Sequence, residues 1–180
     1  MIDVDALSEA MTGEGCRAEP FCEAFRDALK MACAEDGDIW SIYANNFGPD
    51  GFDDSIDRYV GNPNNRTFVL FEGDELAGMS SYLGIDPNRQ VLEIGGTYYR
   101  PRFRGMGFNA RVKAMMLKRA FASGIRRVEF RVDRRNGRSQ AAMKKLGAVR
   151  EGVLRADRLT WTGHVRDTVL FAILKDEYAF

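Results

Sequence analysis

Residues 93–109, EIGGTYYRPRFRGMGFN, carry the features that decide the fold. A run typical of a strand leads through a turn, with glycines at 105 and 107, into a segment with helical periodicity. Glycine adopts backbone conformations closed to other residues, and the first N–H groups of a helix have no partner within it. With the positive end of the helix dipole, these groups suit an anion such as a phosphate, and the arginines at 100, 102 and 104 add charge. A tight turn without a ligand has the same glycine pattern.

Two adjacent glycines, Gly95 and Gly96, interrupt the strand before this turn. Glycine inside a strand is typical of a β-bulge or of a close approach by another group. The pair therefore predicts either a bulge beside the turn or a simple relief of crowding.

The rest of the chain predicts a mixed α+β fold in one domain, residues 1–180. Helices are expected at 20–34 and 53–59, and an antiparallel meander of three strands follows. The meander strands are 67–72, 75–83 and 90–99. A helix at 107–123, a strand at 126–132, a helix at 136–146 and strands at 148–154 and 165–174 complete the order.

Composition and charge place limits on function. The 180 residues are 45% apolar and 29% charged, without a run long enough to span a membrane or a basic, apolar leader, so we expect a soluble cytoplasmic protein. Residues 1–99 hold 19 acidic and 6 basic side chains, whereas residues 100–180 hold 7 acidic and 20 basic ones. The two halves either present opposed fields, the acidic one attracting a cationic amine, or interleave and pair with each other.

The cysteines and the histidine argue against metal or histidine chemistry. Cys16, Cys22 and Cys33 are widely spaced and lack a CxxC pattern, so free thiols are expected. His164 lies far from them in a turn-like WTGH segment, so neither a zinc site nor a Ser-His-Asp system is predicted.

Glu93 is a candidate general base. It lies between Leu92 and Ile94 on a strand, so its side chain points to the opposite face and could take a proton from an amine, directly or through water. The alternative is a surface or ion-paired carboxylate.

Two motifs resemble those of the GNAT acetyltransferases. Arg102-x-x-Gly105-x-Gly107 matches their R/Q-x-x-G-x-G/A pyrophosphate loop. The stretch 136–147, NGRSQAAMKKLG, followed by Glu151-Gly152, is similar to their second motif on the coenzyme A side. The similarity spans residues 67–174 and is greatest to the RimJ/RimL-type N-terminal protein acetyltransferases.

This resemblance implies a mostly antiparallel central sheet, splayed between two strands and flanked by helices. It implies acetyl-CoA as co-substrate, with backbone N–H groups of 104–109 on the pyrophosphate and the pantetheine arm beside 97–99, where an N–H near Tyr99 polarises the thioester carbonyl. The implied cofactor-binding residues are Thr97, Tyr98, Tyr99, Arg102, Arg104, Gly105, Met106, Gly107, Phe108, Asn109, Asn136 and Ser139.

The catalytic residues that the resemblance implies are less complete. Many of these enzymes carry a tyrosine, seven residues after the helix asparagine, that protonates the departing thiolate; Met143 stands there in this sequence. The RimJ/RimL-type branch commonly has a serine three residues after the asparagine, here Ser139, which we take as the candidate acid. Asp157, after the Glu-Gly pair, is the alternative base.

The function expected is direct acetyl transfer from acetyl-CoA to a primary amine, foremost a protein N-terminus. An α-amino group of pKa ~8 is about one-tenth neutral at pH 7, so a weak base suffices. Small-molecule amines and a catalytically silent CoA-binding module are the alternatives, and a homodimer is left open. A nucleic-acid surface at the arginines of 126–138 ranks lowest, since strand alternation and cofactor phosphates explain those residues.

Overall fold

An eight-stranded sheet runs through residues 2–178, the part of the chain that the computed structural model describes. Its order is β1-β2-β3-β4-β5-β6-β8-β7, and every neighbouring pair is antiparallel except β5 and β6. The strands are β1 (Met11–Gly13), β2 (Cys16–Pro20), β3 (Arg66–Glu72), β4 (Glu75–Asp86), β5 (Val91–Tyr99), β6 (Arg127–Asp133), β7 (Val149–Leu159) and β8 (Val165–Leu174). The helices are α1 (Arg26–Ala34), α2 (Phe52–Val60), α3 (Phe108–Ala122) and α4 (Gly137–Lys145).

The predicted α+β class and the antiparallel meander are confirmed. β3, β4 and β5 form the meander, and α3 is the crossover that returns the chain to β6, parallel to β5. Gly124, with φ +89°, follows the end of α3, and Gly147, with φ +83°, follows α4. The helix boundaries predicted from these glycines are therefore correct to within a residue or two.

The predicted helix at 20–34 is wrong at its beginning. Pro20 ends β2 opposite Phe68, and the N–H of Phe21 still donates to the Thr67 carbonyl at 2.8 Å. After a 3-10 turn, α1 begins only at Arg26. Because β1 and β2 have three and five residues, they were too short for an alternating pattern to predict.

The core lies on both faces of the sheet. Along β3, Phe68 and Leu70 belong to the cluster on the α3 face, whereas Val69 and Phe71 belong to the cluster that packs against α1 and α2. This is the two-residue alternation of a strand buried on both sides. The predicted stripe of α3 (Val112, Met115, Met116 and Ala120) is buried on the first face.

Ion pairs join the acidic and basic halves of the chain. Arg100 pairs with Glu35, Arg111 with Glu72 and Arg119 with Glu9. The acidic residues Asp53 and Asp57 of α2 pair with Arg26 and Lys30 of their own half. Of the two arrangements that the charge gradient allowed, pairing explains these residues, and the carboxylates of α2 are partly neutralised.

Candidate active site

A gap opens between β5 and β6 in the middle of the sheet. Their parallel pairing covers only three residue pairs, from Val91 opposite Arg127 to Glu93 opposite Glu129. Beyond this point β5 continues to Tyr99 along β4, and β6 continues to Asp133 along β8. The strands therefore separate, as the family resemblance implied, and leave one edge of each without a strand partner.

A β-bulge at Gly96 lies at the start of the gap. Gly95 pairs with Ser81 and Tyr98 with Met79, so two residues of β5 face one of β4. Gly96 has φ +57°, a left-handed conformation that favours glycine. Because the extra residue reverses the alternation, Ile94 faces α3 before the bulge and Tyr98 faces α1 after it. The predicted bulge is confirmed.

Gly96→Ala should destabilise the fold. A Cβ there would lie 2.6 Å from Cε1 of the Tyr59 ring, in addition to the strain of a positive φ. We expect the free energy of unfolding, measured by urea denaturation, to fall by about 1–3 kcal/mol. Gly84→Ala is the matched control, since Gly84 has φ +55° and its Cβ would meet no described atom within 4 Å. Equal losses in the two variants would contradict the crowding argument.

An anion cradle stands where the turn enters α3. Gly105 and Gly107 have φ +82° and +81°, and a Cβ on either would meet no described atom within 4 Å. In the described chain, the backbone N–H groups of 105–109 donate to no protein carbonyl, and Ala110 is the first to bond back, to Gly107 at 3.0 Å. Five successive unpaired N–H groups at a helix N-terminus suit a diphosphate.

The arginines of the turn do not contribute to the cradle in the way that the sequence predicted. The N–H of Arg104 donates to the Pro101 carbonyl at 3.1 Å, so the cradle begins at Gly105 and not at 104. Its guanidinium pairs with Asp36 and donates to the Tyr99 carbonyl at 2.8 Å. Arg102 pairs with Glu75. Both charges are paired within the protein, although the buried Nη2 of Arg104 has no hydrogen-bond partner among the described residues. The backbone supplies the other free donors of the turn.

The other predicted cofactor residues support the cradle in different ways. Met106 is 78% exposed, whereas Phe108 is buried and packs edge-on against Tyr99. The Tyr99 hydroxyl donates to Oδ1 of Asn109 at 3.0 Å, which ties β5 to the first turn of α3. Tyr98 faces α1, and its hydroxyl donates to the Ala32 carbonyl.

Asn136 and Ser139 lie at the start of α4. The Asn136 side chain caps the helix by accepting the Ser139 N–H at 2.9 Å. This accounts for the asparagine in structural terms and leaves the Ser139 hydroxyl as a candidate acid. Met143 is buried in the core.

Glu93 lies on the face of the sheet opposite α3. Its Oε2 is 3.8 Å from Nε of Arg131, and its side chain is 19% exposed. Burial raises the pKa of the Glu93 carboxyl, an effect that Arg158, Arg131 and Arg166 oppose. A carboxylate of raised pKa is a stronger proton acceptor, so this environment suits a general base.

Asp157 approaches Glu93 because of an irregularity in β7. Leu154 pairs with Thr168 and Arg158 with Arg166, so three residues of β7 oppose one of β8. Ala156 has φ +50°, and its N–H donates to Oδ1 of Asp167. This bulge interrupts the alternation, which is why the predicted strand ended at 154 whereas β7 runs to Leu159.

The environment of Asp157 differs from that of Glu93. Burial opposes its ionisation, but the Thr168 hydroxyl, 2.8 Å away, and the charges of Arg158 and Arg131 hold the pKa of the Asp157 carboxyl below its usual range. Oδ1 of Asp157 is 3.8 Å from Arg131, so this guanidinium lies between the two candidate bases. The structure thus brings them together, with Glu93 the better proton acceptor.

Three residues that the sequence did not single out border this face of the gap. The first is Arg131, which links the candidate bases. The second is Tyr43, whose hydroxyl donates to the Thr97 carbonyl at 2.7 Å. Nε1 of Trp161, in the β7–β8 turn, donates to the Trp40 carbonyl at 2.8 Å, which joins the hairpin tip to the 37–42 segment. Only the alternation of RRVEFRV, which places Arg131 on the face of Glu129, gave a usable signal.

The model of the acetyltransferase (GNAT) family matches residues 34–148, more than half of the chain. The chain belongs to this family. A protein of T. thermophilus described as an acetyltransferase is 32% identical over 94% of this chain and 90% of its own, with a TM-score of 0.85. No protein with a curated description matches the sequence significantly. The expected GNAT fold and the expected acetyltransferase class are confirmed.

More distant solved structures share the fold. Mycobacterium smegmatis RimJ, in complex with CoA-disulfide, is 16% identical over 97% of this chain and 91% of its own, with a TM-score of 0.84. A Salmonella typhimurium acetyl transferase that modifies the N-terminal serine of ribosomal protein L7/L12 is 16% identical over 92% of this chain and 99% of its own, with a TM-score of 0.82. Vibrio cholerae spermidine N-acetyltransferase, in complex with CoA and spermine, is 17% identical over 91% of this chain and 98% of its own, with a TM-score of 0.75.

Two observations bear on other classes of site. Within residues 2–178, no three side chains of the His, Cys, Asp and Glu types come together in a way that could hold a metal ion. None of the described helices is long and apolar enough to span a membrane.

Proposed function

We propose that this GNAT protein transfers the acetyl group of acetyl-CoA directly to the α-amino group of a protein or peptide N-terminus. The observation that carries the proposal is the continuity of the cradle with the gap. The cradle lies beside Tyr99, the last residue of β5, because Tyr99 bonds Asn109 and packs against Phe108 at the start of α3. A diphosphate on the cradle would therefore direct its arm between β5 and β6. The single continuous sheet supports one acetyltransferase domain.

The residues present fit coenzyme A. The cradle offers five N–H donors and open space above two glycines for a pyrophosphate. The carbonyls of Thr97 and Tyr99 already accept from Tyr43 and Arg104, so a pantetheine amide would bind other backbone groups of this edge. When bound, acetyl-CoA supplies an acetyl group activated as a thioester.

Glu93 acts as the general base in this proposal. It takes a proton from the incoming ammonium, on the face of the gap opposite α3, and leaves a neutral amine to attack the carbonyl. Arg131 lies between the Glu93 and Asp157 carboxylates and partly neutralises both. Because an α-amino group has a pKa of ~8, the transfer to a carboxylate of raised pKa is only moderately uphill.

The charge of the acceptor face favours an N-terminus over a polyamine. Arg131, Arg158 and Arg166 surround Glu93 closely enough to oppose the rise of its pKa. The carboxylates of Glu93, Glu129 and Asp157 balance these three guanidinium groups, so the face has no excess of negative charge to attract a spermine-like polycation. An N-terminal peptide brings only one positive charge. The L7/L12 enzyme gives a precedent for this acceptor within the fold, and the spermidine enzyme gives one for the alternative.

Trp161→Ala should weaken acceptor binding more than cofactor binding. The substitution removes the side-chain hydrogen bond to Trp40 and leaves the β7–β8 turn held to that segment by the backbone bond from residue 161 to the Ala44 carbonyl alone. We expect KM for the acceptor to rise about 5- to 20-fold, the loss of one interaction of 1–2 kcal/mol, while Kd for acetyl-CoA stays within twofold. Steady-state kinetics and calorimetry give the two values. A loss confined to acetyl-CoA binding would argue against this placement of the acceptor.

The proposal is tested on a panel of amines. Peptides of varied N-terminal residue, free lysine and polyamines are incubated with acetyl-CoA, and mass gain of about 42 Da and release of thiol are measured. Acetylation at the peptide N-terminus supports the proposal, and acetylation of polyamines alone supports the small-amine alternative. Tight binding of acetyl-CoA without thiol release on any amine would identify a silent CoA-binding module.

A further inference from the structure

Lys113 of α3 is a buried lysine for which the preceding mechanism has no use. It is 2% exposed, and its Nζ donates to Oγ1 of Thr97 at 2.7 Å and Oγ of Ser80 at 3.4 Å. The Phe130 ring of β6 lies beyond, 6.0 Å from Nζ to its centroid. No described carboxylate forms a salt bridge with it, whereas Arg111 and Arg119 of the same helix each have one.

The position of Nζ is set by the bulge in β5. The extra residue at Gly96 turns the Thr97 side chain towards α3, and Lys113 reaches it from the second turn of that helix. Nζ therefore lies among β4, β5 and β6, on the α3 side of the gap. Glu93 faces the other side, because its neighbours Leu92 and Ile94 point towards α3.

The surroundings of the Lys113 amine are almost neutral. It is packed against two hydroxyls and an aromatic ring, and Glu93 is the one ionisable group among the described residues whose charge acts on it appreciably. Burial lowers the pKa of Lys113 to about 7, and Glu93 opposes that change. An ammonium buried without an anionic partner costs stability, so a role outside the packing is indicated.

We propose that Lys113 donates the proton that the coenzyme A thiolate needs as it departs. This inference rests on the proposed function, which places the thioester in the gap, and it fills the role left open by Met143. The amine nitrogen forms a bond to the acetyl carbon and the carbon–sulfur bond breaks. The sulfur takes a proton from the Lys113 ammonium, giving the free thiol and a neutral lysine. The acceptor nitrogen loses two protons in all: Glu93 holds the first, taken from the ammonium before the attack, and the second, lost as the amide forms, passes to solvent water. Solvent restores both groups after the products leave.

Two faces of the gap thus serve two proton transfers. Glu93 removes a proton on the acceptor face, and Lys113 delivers one on the α3 face, where the arm enters from the cradle. Thr97, bonded to Lys113 and to Ser80 at 2.7 Å, fixes the direction of the amine. Ser139 is then not required as the acid.

The test compares Lys113→Met and Lys113→Arg with Lys118→Met, an exposed lysine of the same helix. Rates of thiol release are measured from pH 6 to 9. The Kd for acetyl-CoA and the temperature of thermal unfolding are measured for each variant as well. We expect Lys113→Met to fold at least as stably as the parent, since it removes a buried charge, and to bind acetyl-CoA unchanged. Its turnover should fall roughly 100-fold. Arginine, which keeps the charge but does not release a proton, should not restore turnover.

The pH profile separates a proton donor from a structural lysine. In the parent, turnover should decline as the pH rises through the pKa of Lys113, and this alkaline decline should be absent in Lys113→Met. Full turnover in Lys113→Arg, an unchanged alkaline decline, or a 100-fold loss in Ser139→Ala alone would overturn the inference while the proposed function stands. A parent that releases no thiol with any amine would overturn both.

Discussion

Gly107→Val should lower the affinity for acetyl-CoA at least about 100-fold, the largest effect on cofactor binding that we expect from one substitution. Valine is strongly disfavoured at φ +81°, so the turn must change shape and the N–H groups of 105–109 lose their common direction. A hydrogen bond to a charged group contributes about 1.5–3 kcal/mol, and losing one or two of them gives this factor. Isothermal calorimetry measures it directly.

Gly73→Val is the matched control for this result. Gly73, in the turn between β3 and β4, has φ +58°, and its Cβ would also meet no described atom within 4 Å. The two variants therefore introduce similar backbone strain, and only Gly107→Val disturbs the cradle. Equal affinity in both variants and the parent would refute the assignment of the diphosphate to residues 105–109.

Glu93→Gln should lower turnover about 100-fold at pH 7 and leave acetyl-CoA affinity unchanged. Glutamine keeps the shape of the side chain but does not accept the amine proton. The deficit should shrink as the pH rises, because more of the amine is then neutral without help. Glu129→Gln, opposite Glu93 on β6, is the control and should have the smaller effect. A profile parallel to that of the parent, with Asp157→Asn inactive, would assign the base to Asp157.

The same substitution has a predicted effect on stability. The pKa of Glu93 is raised in the folded chain, so its contribution is favourable below the pKa of the unfolded state and is lost as the pH rises through the folded value. Glu93→Gln should therefore unfold at a higher temperature than the parent at pH 8 and at nearly the same temperature at pH 4. An opposite pH dependence in calorimetric melts would contradict the raised pKa.

The bulge and the cradle could be predicted because their causes are local, whereas the gap between β5 and β6 was implied only by the resemblance to the GNAT family. Gly96, Gly105 and Gly107 all adopt positive φ, which the sequence already indicated by placing glycine at each position. The beginning of α1 and the strands β1 and β2 could not be predicted in this way. Pairing with β3, and not local periodicity, decides where they lie.

The partners of the charged side chains at the site could not be predicted from the sequence. The sequence placed Arg102 and Arg104 beside a phosphate, yet both pair with carboxylates from the acidic half of the chain, and Arg104 uses its own N–H within the turn. It also left Lys113 unnoticed, although a lysine on the buried stripe of α3 is itself a signal. Long flexible side chains reach partners that spacing along the chain does not reveal.

What the sequence by itself determined is the backbone of the proposed cofactor site: a strand with a bulge, a turn of two glycines and a helix N-terminus. These depend on the conformations open to a few successive residues. Only the tertiary structure decided that Arg131 lies between Glu93 and Asp157, that Trp161 reaches Trp40 and that Lys113 meets Thr97. Such contacts join residues 16 to 121 positions apart, so they depend on the order and register of the strands, which packing fixes.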